Sequence, residues 1–243
     1  MVLPDSDPGE NRSPISLLLT AGPTREPIDS VRFLGNRSSG RLGVAVADAA
    51  AKRGWSVTVL LGPTEVRPND ERVDVVPFES TAELDSLLTT HLPKNDVLIM
   101  AAAVSDYRPV VTADDLLGKH RRGDGLKLQL EPTPDLLAGC SRRRTPGQLL
   151  VGFALEPSER LESSALSKLD RKGIDLIVAN PLETMGADTI DARLFASSAL
   201  QAEGVPPEQR AGTKTKATFA DWLLDRTSAA LSSRRTLDSA RAN

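Results

Sequence analysis

The chain has little of what disulfide-rich, metal-binding or membrane-spanning proteins need. Its 243 residues include one cysteine, Cys140, and two histidines, His91 and His120. A single cysteine excludes intrachain disulfides, and the isolated histidines give no metal-ligand spacing. No apolar segment approaches the roughly 20 residues of a membrane-spanning helix, and the N-terminus lacks the basic and apolar regions of a signal peptide. We therefore expect a cytoplasmic protein with no membrane partner.

An excess of charge of either sign is also missing. The formal net charge is −3, so no global electrostatic attraction draws the chain to nucleic acid, and we expect no such partner. Apolar residues make up 40% of the chain, which is enough for the core of one α/β domain. Residues 1–13 and 232–243 show no apolar pattern, so we predict a disordered leader and a disordered tail around a single domain at 14–231.

Continuous apolar runs alternate with helical patterns along most of the chain. Continuous runs are typical of strands that are buried on both faces of a sheet. Their alternation with helices predicts an α/β, Rossmann-like, doubly wound fold with a mainly parallel sheet. The predicted strands are 15–20, 56–61, 73–78, 97–104, 149–155 and 175–180, and the predicted helices include 42–53, 81–91 and 160–172.

Two stretches interrupt this alternation. In residues 106–130, proline, glycine and charged residues dominate until 126–130, which alternates like an exposed strand. We predict that this stretch is a small β excursion, or flap, outside the sheet. A second excursion is predicted at 185–216, with possible short strands at 194–195 and 199–200.

The loop after the first predicted strand suggests an anion site. Gly22 follows that strand, and Ser38, Ser39 and Gly40 precede an alanine-rich helix, where hydroxyls and free backbone N–H groups attract anions. The loop between Gly22 and Gly40 is too long for the tight G-x-G-x-x-G turn of dinucleotide-binding folds. Because it carries Arg25, Asp29, Arg32, Asn36 and Arg37, we predict that it also holds a polar substrate.

Other segments have both a functional and a structural interpretation. Asp106 follows a predicted strand that ends in alanines, which places it at the ligand edge of a sheet, but it could equally cap a turn or pair with Arg108. Lys119 begins a basic, glycine-flanked loop that suits polyphosphate or is simply solvated. Phe153 could stack on a base or lie in the core. The residue types leave each alternative open.

Two further segments have compositions that ordinary helix ends also explain. Residues 133–136, Thr-Pro-Asp-Leu, look like a helix start with an early proline and an aspartate near the dipole. Lys168 and Lys172 lie four residues apart on one face of a predicted helix, near its C-terminus, where cations are favourable. Taken singly, these features do not identify a site.

Taken together, these segments resemble the bacterial phosphopantothenoylcysteine synthetases, the synthetase domain of the DNA/pantothenate metabolism flavoprotein family. The resemblance covers roughly residues 15–225. The motifs that carry it are TAGPTREPIDSVR at 20–32, NRSSGRLG at 36–43, AAAVSDYRP at 101–109, KHRR at 119–122, TPDL at 133–136, VGFALE at 151–156 and DLIVAN at 175–180. Many bacterial members carry a flavin-dependent decarboxylase domain upstream. This chain has no room for one, so we expect a stand-alone synthetase without flavin.

The resemblance implies a ligase of coenzyme A biosynthesis. Its substrates would be 4′-phosphopantothenate, L-cysteine and CTP, which is cleaved to CMP and pyrophosphate through an acyl-cytidylate intermediate. CTP is implied rather than ATP, with Mg²⁺ as the cofactor that neutralises the triphosphate. Members of the family are homodimers with sites near the interface, so a homodimer is expected here, with a separate flavin-dependent decarboxylase chain as a possible partner.

The resemblance also assigns roles to residues. Asn36 would position the acyl carbonyl through its side-chain amide, and Lys119 would stabilise negative charge on the α-phosphate and the leaving pyrophosphate. Asp29, Arg32, Asn36, Ala102 and Ala103 would form the phosphopantothenate pocket. The nucleotide-binding residues, with those of the first loop included, would be Gly22, Ser38, Ser39, Gly40, Asp106, Lys119, Thr133, Pro134, Asp135, Leu136, Phe153, Lys168 and Lys172. Metal ligands stay unassigned.

Two other classes of protein remain as alternatives. An NAD(P)-dependent reductase would need a short glycine turn and usually a Tyr-x-x-x-Lys pair, but the single tyrosine, Tyr107, is followed four residues later by Val111. A non-catalytic nucleotide-binding module derived from a synthetase would keep the fold and lose the catalytic pair, yet Asn36 and Lys119 are both present.

Overall fold

The computed structural model describes residues 13–110, 128–184 and 186–242. Alternating strands and helices make up most of these ranges. The strands are β1 (Ser16–Ala21), β2 (Arg25–Pro27), β3 (Phe33–Gly35), β4 (Ser56–Leu61), β5 (Asp74–Pro77), β6 (Val97–Met100), β7 (Tyr107–Pro109), β8 (Leu130–Pro132), β9 (Leu149–Glu156), β10 (Leu176–Pro181), β11 (Thr189–Ala196) and β12 (Glu208–Thr215). The α-helices are α1 (Arg41–Lys52), α2 (Thr81–His91), α3 (Leu136–Arg143), α4 (Leu161–Lys172), α5 (Ser198–Ala202) and α6 (Lys216–Ala242).

The main sheet has eight strands in the order β12-β11-β10-β9-β6-β1-β4-β5. The strands from β10 to β5 in this order are parallel to their neighbours, and β11 and β12 add an antiparallel edge. From β1 the chain moves outward to β4 and β5, and then returns to β6 on the other side of β1. This reversal is the switch point of a doubly wound fold, where ligands bind at the carboxyl ends of the strands. The predicted fold is confirmed.

Helices cover both faces of the sheet. Leu17 and Leu19 of β1 point into a core shared with α1 and α6. Leu18, between them, points into the opposite core, shared with α2, α3 and α4. Because successive side chains of a strand face opposite sides, both faces of β1 must be apolar, which explains its continuous apolar run.

Helix α1 lies unusually close to β1. A Cβ atom on Gly43 would lie 2.4 Å from the Cβ of Ala21, so only glycine fits at this crossing. The preceding Gly40 is the N-cap residue, with φ of 70° in the left-handed region. Glycine adopts this conformation without the steric cost that other residues incur. The two glycines place the first turn of α1 beside the carboxyl end of β1.

The prediction of a disordered tail from residue 232 is wrong for the backbone, because α6 continues to Ala242. Arg234, which is nearly buried, forms an ion pair of 2.9 Å with buried Asp175. It also donates to the carbonyl oxygen of Gln148 at 2.9 Å. Composition did not predict this, because Arg234 fixes this part of the helix through charged and polar contacts, which leave no apolar periodicity in the sequence. The predicted leader lies almost wholly outside the described residues.

The second excursion is also more regular than predicted, because β11 and β12 extend the main sheet. The predicted strand at 199–200 is wrong, since these residues lie in α5. Ser197 caps that helix by accepting a hydrogen bond from the Leu200 N–H. Strand β12 was missed because it lies at the sheet edge, where polar residues are tolerated on both faces.

The first excursion leaves the sheet as predicted. Strands β7 and β8 form a separate two-stranded ribbon. Of the strand predicted at 126–130, only Leu130 lies in β8, and residues 126–127 are outside the described ranges. Strand β6 ends at Met100 rather than at 104, and the loop between β1 and α1 contains a second ribbon, β2 with β3, that the sequence did not predict. In the described ranges, no helix is long and apolar enough to span a bilayer.

Candidate functional site

A cleft of about 750 Å³ opens at the carboxyl edge of the parallel strands. Its walls come from the two helical layers. On one side lie the loop before α1 and the first residues of α1 and α6, and on the other lie the start of α3 and the end of α4. Loop residues 101–106, which follow β6, cross between them. The cleft therefore occupies the switch point where doubly wound folds bind ligands.

The first turn of α1 forms one end of this cleft. Ser38, Ser39, Gly40 and Arg41 line it, and no side chain caps the helix. From Ser38 and Ser39 we also expected hydroxyls that cap the helix, and this expectation is wrong, because Gly40 occupies the N-cap position. The first-turn N–H groups have no capping side chain as partner, and an anion satisfies such groups well.

Asn36 joins the loop before α1 to the loop after β6. Its Nδ2 donates to the carbonyl oxygens of Ala103, at 3.3 Å, and Val104, at 3.0 Å. A second tie lies behind it, where buried Thr24 donates through Oγ1 to the Ser105 hydroxyl at 3.1 Å and accepts from the Ser105 N–H at 2.9 Å. The two loops that flank the switch point thus form one unit.

Asp106 lies at the cleft with an exposed carboxylate. The interpretation as a partner of Arg108 is wrong, because Arg108 pairs with Glu131 at 2.8 Å. Within the part of the chain that the structure describes, the Asp106 carboxylate has no hydrogen-bond partner. Its backbone oxygen accepts from the Thr133 N–H at 2.9 Å, which brings residues 133–136 to the cleft.

Asp135 combines a structural role with a place in the cleft wall. It is the N-cap residue of α3 and accepts from the Ala138 N–H at 3.1 Å. Both carboxylate oxygens also lie 2.7 Å from the Nζ atom of Lys172. Burial alone would raise the pKa of Asp135, but the Lys172 ammonium and the Ala138 amide outweigh it and hold that pKa below its usual range. The carboxylate is therefore charged at neutral pH.

Lys168 has a carboxylate partner as well. Its ammonium pairs with Glu156 at the end of β9. Burial would raise the pKa of Glu156, and the Lys168 ammonium lowers it below the usual value. The two lysines that were predicted to bind the nucleotide are thus each oriented by an acidic partner.

Phe153 is partly buried and also lines the cleft. Its ring therefore combines core packing with a ligand-facing position.

Similarity to known proteins agrees with this geometry. The family described as DNA/pantothenate metabolism flavoprotein C-terminal domain matches residues 13–230. The chain belongs to this family. The match spans every described element up to α6, and it confirms the resemblance predicted from the sequence motifs.

Several relatives support the assignment. The coenzyme A biosynthesis bifunctional protein CoaBC of Mycobacterium tuberculosis is 41% identical over 210 residues, which are 82% of this chain and 49% of that protein. A cysteine/cysteine sulfinic acid decarboxylase from an unknown prokaryotic organism is 44% identical over 172 residues, 70% of this chain and 47% of that protein. The chain thus spans about half the length of the curated relatives it matches.

Solved structures show the same fold. The crystal structure of the C-terminal domain of CoaBC has a TM-score of 0.74 at 31% identity, covering 90% of this chain and 96% of that chain. A Cab2 mutant in complex with phosphopantothenate-cysteine has a TM-score of 0.73 at 18% identity, covering 93% of this chain and 89% of that one. At that identity, the second likeness concerns the fold alone.

Most residues that the family resemblance implied meet at the cleft. Those that line it are Asn36, Ser38, Ser39, Gly40, Ala102, Ala103, Asp106, Thr133, Pro134, Asp135, Leu136, Phe153, Lys168 and Lys172. Gly22 does not line it, although its carbonyl oxygen accepts from the Ala103 N–H at 2.9 Å and so holds the loop after β6. Lys119 lies outside the described residues.

Asp29 and Arg32 do not line the cleft either, because they form the turn between β2 and β3. The Asp29 carboxylate accepts from the N–H groups of Val31, at 2.9 Å, and Arg32, at 2.8 Å. Its hydrogen bond with the Arg32 side chain, together with these amides, lowers the pKa of Asp29 to about 2. Within one chain, this pair organises the hairpin.

Arg37, which belongs to the loop predicted to hold a polar substrate, lines the cleft. Sequence reasoning missed three other cations of the cleft, namely Arg41, Arg171 and Lys216. Arg41 follows Gly40 in the motif at 36–43, and this position could have indicated it. No motif in the sequence indicated Lys216, because this residue reaches the cleft only through the packing of α6. Arg41 pairs loosely with Asp188, at 3.4 Å.

Proposed function

We propose that the protein is a phosphopantothenate–cysteine ligase that uses CTP. The observation that carries the proposal is the cleft at the switch point, which is lined by the uncapped start of α1, the anchored Asn36 and the paired lysines of α4. An acyl-nucleotide intermediate requires groups that bind its phosphate, its acyl part and its base. The start of α1, the side-chain amide of Asn36 and the ring of Phe153 are suited to these three parts.

The reaction has two steps. The carboxylate of 4′-phosphopantothenate attacks the α-phosphorus of CTP, so a carboxyl oxygen–phosphorus bond forms and pyrophosphate leaves. The amine of L-cysteine then attacks the acyl carbonyl, CMP leaves with the bridging oxygen, and an amide bond forms with loss of a proton. We assign Asn36 to holding the acyl group between the steps, with Ala102 and Ala103 leaving room for it against the backbone.

The ion pairs of Lys168 and Lys172 suggest how the nucleotide is received. In each pair the carboxylate orients the ammonium and balances its charge before a ligand arrives. A phosphate is the more highly charged partner, and charge-assisted hydrogen bonds to it are strong. We infer that the bound nucleotide draws both lysines away from Glu156 and Asp135, while Phe153 packs on the base.

We infer that Mg²⁺ binds together with the nucleotide and not at a preformed site made of protein side chains alone. No cluster of three or more His, Cys, Asp or Glu side chains suited to a metal occurs in the described ranges. Mg²⁺ commonly binds through one or two carboxylates plus substrate phosphates, and the exposed carboxylate of Asp106 at the cleft fits that pattern. When bound, the ion would neutralise triphosphate charge.

The proposal is tested by measuring pyrophosphate release with 4′-phosphopantothenate and Mg²⁺, comparing CTP with ATP, each with and without cysteine. Release should depend on phosphopantothenate and favour CTP. Without cysteine, the acyl cytidylate should accumulate. A folded protein that is silent with both nucleotides would instead support the nucleotide-binding module.

Lys119→Gln is expected to lose most pyrophosphate release, by about tenfold to a hundredfold, while still binding phosphopantothenate. The reason is the loss of positive charge near the α-phosphate, which neutral glutamine of similar length does not replace. Single-turnover pyrophosphate release and calorimetric phosphopantothenate binding are the two measurements. Unimpaired release would remove Lys119 from the mechanism.

We also propose that the protein is a homodimer through the two small ribbons. Val31 is 73% exposed, Phe33 50%, Tyr107 54% and Leu130 42%, and the two ribbons contact each other through β2 and β7. Packing a second copy there would bury this surface and would bring the Asp29–Arg32 turn near another chain, which accounts for its distance from the cleft of its own chain.

Phe33→Glu is therefore expected to give a monomer, because a buried charge at an apolar interface is costly. Light scattering after gel filtration measures the mass. The control is Leu166→Glu, since Leu166 is 38% exposed on α4, away from the ribbons. A dimeric Phe33→Glu variant would place the interface elsewhere.

A further inference from the structure

Lys216, the first residue of α6, reaches the cleft although it lies far from every motif in the sequence. Its position is rigid. Phe219 and Leu223, in the next two turns of α6, are fully buried in the core shared with α1. The Lys216 N–H also donates to the Asp188 carbonyl oxygen at 3.3 Å. The backbone of Lys216 is therefore fixed at the α1 side of the cleft.

The ammonium of Lys216 differs from those of Lys168 and Lys172. Among the residues that the structure describes, it has neither a hydrogen bond nor an ion pair, although the residue is partly buried. Burial and the positive charge of Arg41 lower the pKa of Lys216, and the Asp188 charge offsets this only in part. Two cations thus face the same space, and their repulsion is relieved when an anion enters.

The two walls of the cleft separate these cations into two groups. Lys168 and Lys172 belong to α4, on the face of the sheet that also carries α3. Lys216 and Arg41 begin α6 and α1 on the opposite face. A nucleotide whose base lies by Asp135, at the start of α3, must extend its phosphates toward the second group to reach the uncapped start of α1.

We propose that Lys216 binds the phosphates of the nucleotide that lie farthest from the base, and holds them as they leave as pyrophosphate, together with Arg41 and the first turn of α1. This assignment rests on the proposed function. It adds a residue that touches the leaving group and divides the cleft into a pyrophosphate end at α1 and α6 and a nucleoside end at α3 and α4.

The test is calorimetric titration of inorganic pyrophosphate, and separately of CMP, into the full chain and its variants. Lys216→Met should weaken pyrophosphate binding about tenfold, as expected for one lost charge-assisted hydrogen bond, and leave CMP binding within twofold. Lys216→Arg should retain most of the affinity, since it keeps the charge. The matched control is Lys214→Met, because Lys214 lies two residues earlier on β12 and does not line the cleft.

Three results would overturn the assignment: equal pyrophosphate affinity in the Lys216→Met and Lys214→Met variants, an equal loss for CMP and pyrophosphate, or no pyrophosphate binding by the wild type. Thermal melting of each variant checks that it is folded. The proposed function is judged separately by phosphopantothenate-dependent pyrophosphate release in the wild type. If that release is missing while Lys216→Met still loses pyrophosphate binding, the ligase proposal fails and the anion site stands.

Discussion

Asn36→Asp is expected to lower steady-state product formation about 10²–10³-fold, the range found when a catalytic hydrogen-bond donor is removed. The Nδ2 group of Asn36 donates to the carbonyl oxygens of Ala103 and Val104. Aspartate has the same shape, but its carboxylate faces those oxygens with negative charge and cannot donate when ionised. The loop before α1 should therefore separate from the loop after β6, and the acyl group should lose its support.

The two half-reactions should respond differently. Attack on the α-phosphorus depends mainly on the nucleotide and its cations, whereas amide formation needs the acyl carbonyl held for the cysteine amine. We expect single-turnover pyrophosphate release to persist while phosphopantothenoyl-cytidylate accumulates, which rapid quench and mass spectrometry measure. Equal losses in both steps would contradict the assigned role.

The control for this variant is Asn95→Asp. The Asn95 side chain also donates through Nδ2 to a backbone carbonyl, that of His91 at 2.9 Å, but it lies before β6, at the opposite edge of the sheet. Its substitution removes the same kind of hydrogen bond and should lower stability by about 1 kcal/mol with turnover nearly unchanged. A comparable loss of turnover in both variants would show that Asn36 acts through stability alone.

Gly43→Ala is expected to destabilise the protein by about 1–3 kcal/mol and to lower nucleotide affinity. A Cβ atom at this position would lie 2.4 Å from the Ala21 Cβ, so α1 must move away from β1. Overpacking of this kind usually costs more than the roughly 1 kcal/mol that alanine gains over glycine inside a helix. Because the same helix begins at the anion site, its displacement should also disturb the cleft.

Gly139→Ala provides the opposite case. Gly139 lies inside α3, and the nearest atom to an added Cβ is a terminal nitrogen of Arg143, 3.8 Å away. Here only the helix propensity changes, so stability should rise by up to about 1 kcal/mol. Urea unfolding at unchanged m-value measures both variants. If Gly43→Ala were as stable as the wild type, the close contact between α1 and β1 would not constrain the fold.

The carboxyl edge of the sheet, where the cleft lies, was largely predictable from local sequence. Apolar runs that end in Gly22 or in Ala101 to Ala103 deliver the chain to the carboxyl side of a parallel sheet, so polar residues just beyond them gather there. Asn36, Asp106 and Phe153 could be placed together for this reason. Asp29 and Arg32 could not be placed in this way. The conformation of their loop depends on the pairing of β2 with β3, and no hydrophobic periodicity in the sequence indicates that pairing.

Local patterns in the chain were sufficient for the alternating strands and helices and for the doubly wound arrangement, whereas the family and most of the cleft residues came from the resemblance of its motifs to a known family. Hydrophobic periodicity and backbone chemistry act over a few residues and can be read without the partners. Packing decided the rest. It placed Lys216 at the cleft, paired Lys168 with Glu156 and Lys172 with Asp135, and continued α6 beyond residue 232 through Arg234 and Asp175. Each of these contacts joins residues from different parts of the fold. Those residues become neighbours only when the sheet packs against its two helical layers, so no local pattern in the sequence indicates the contact.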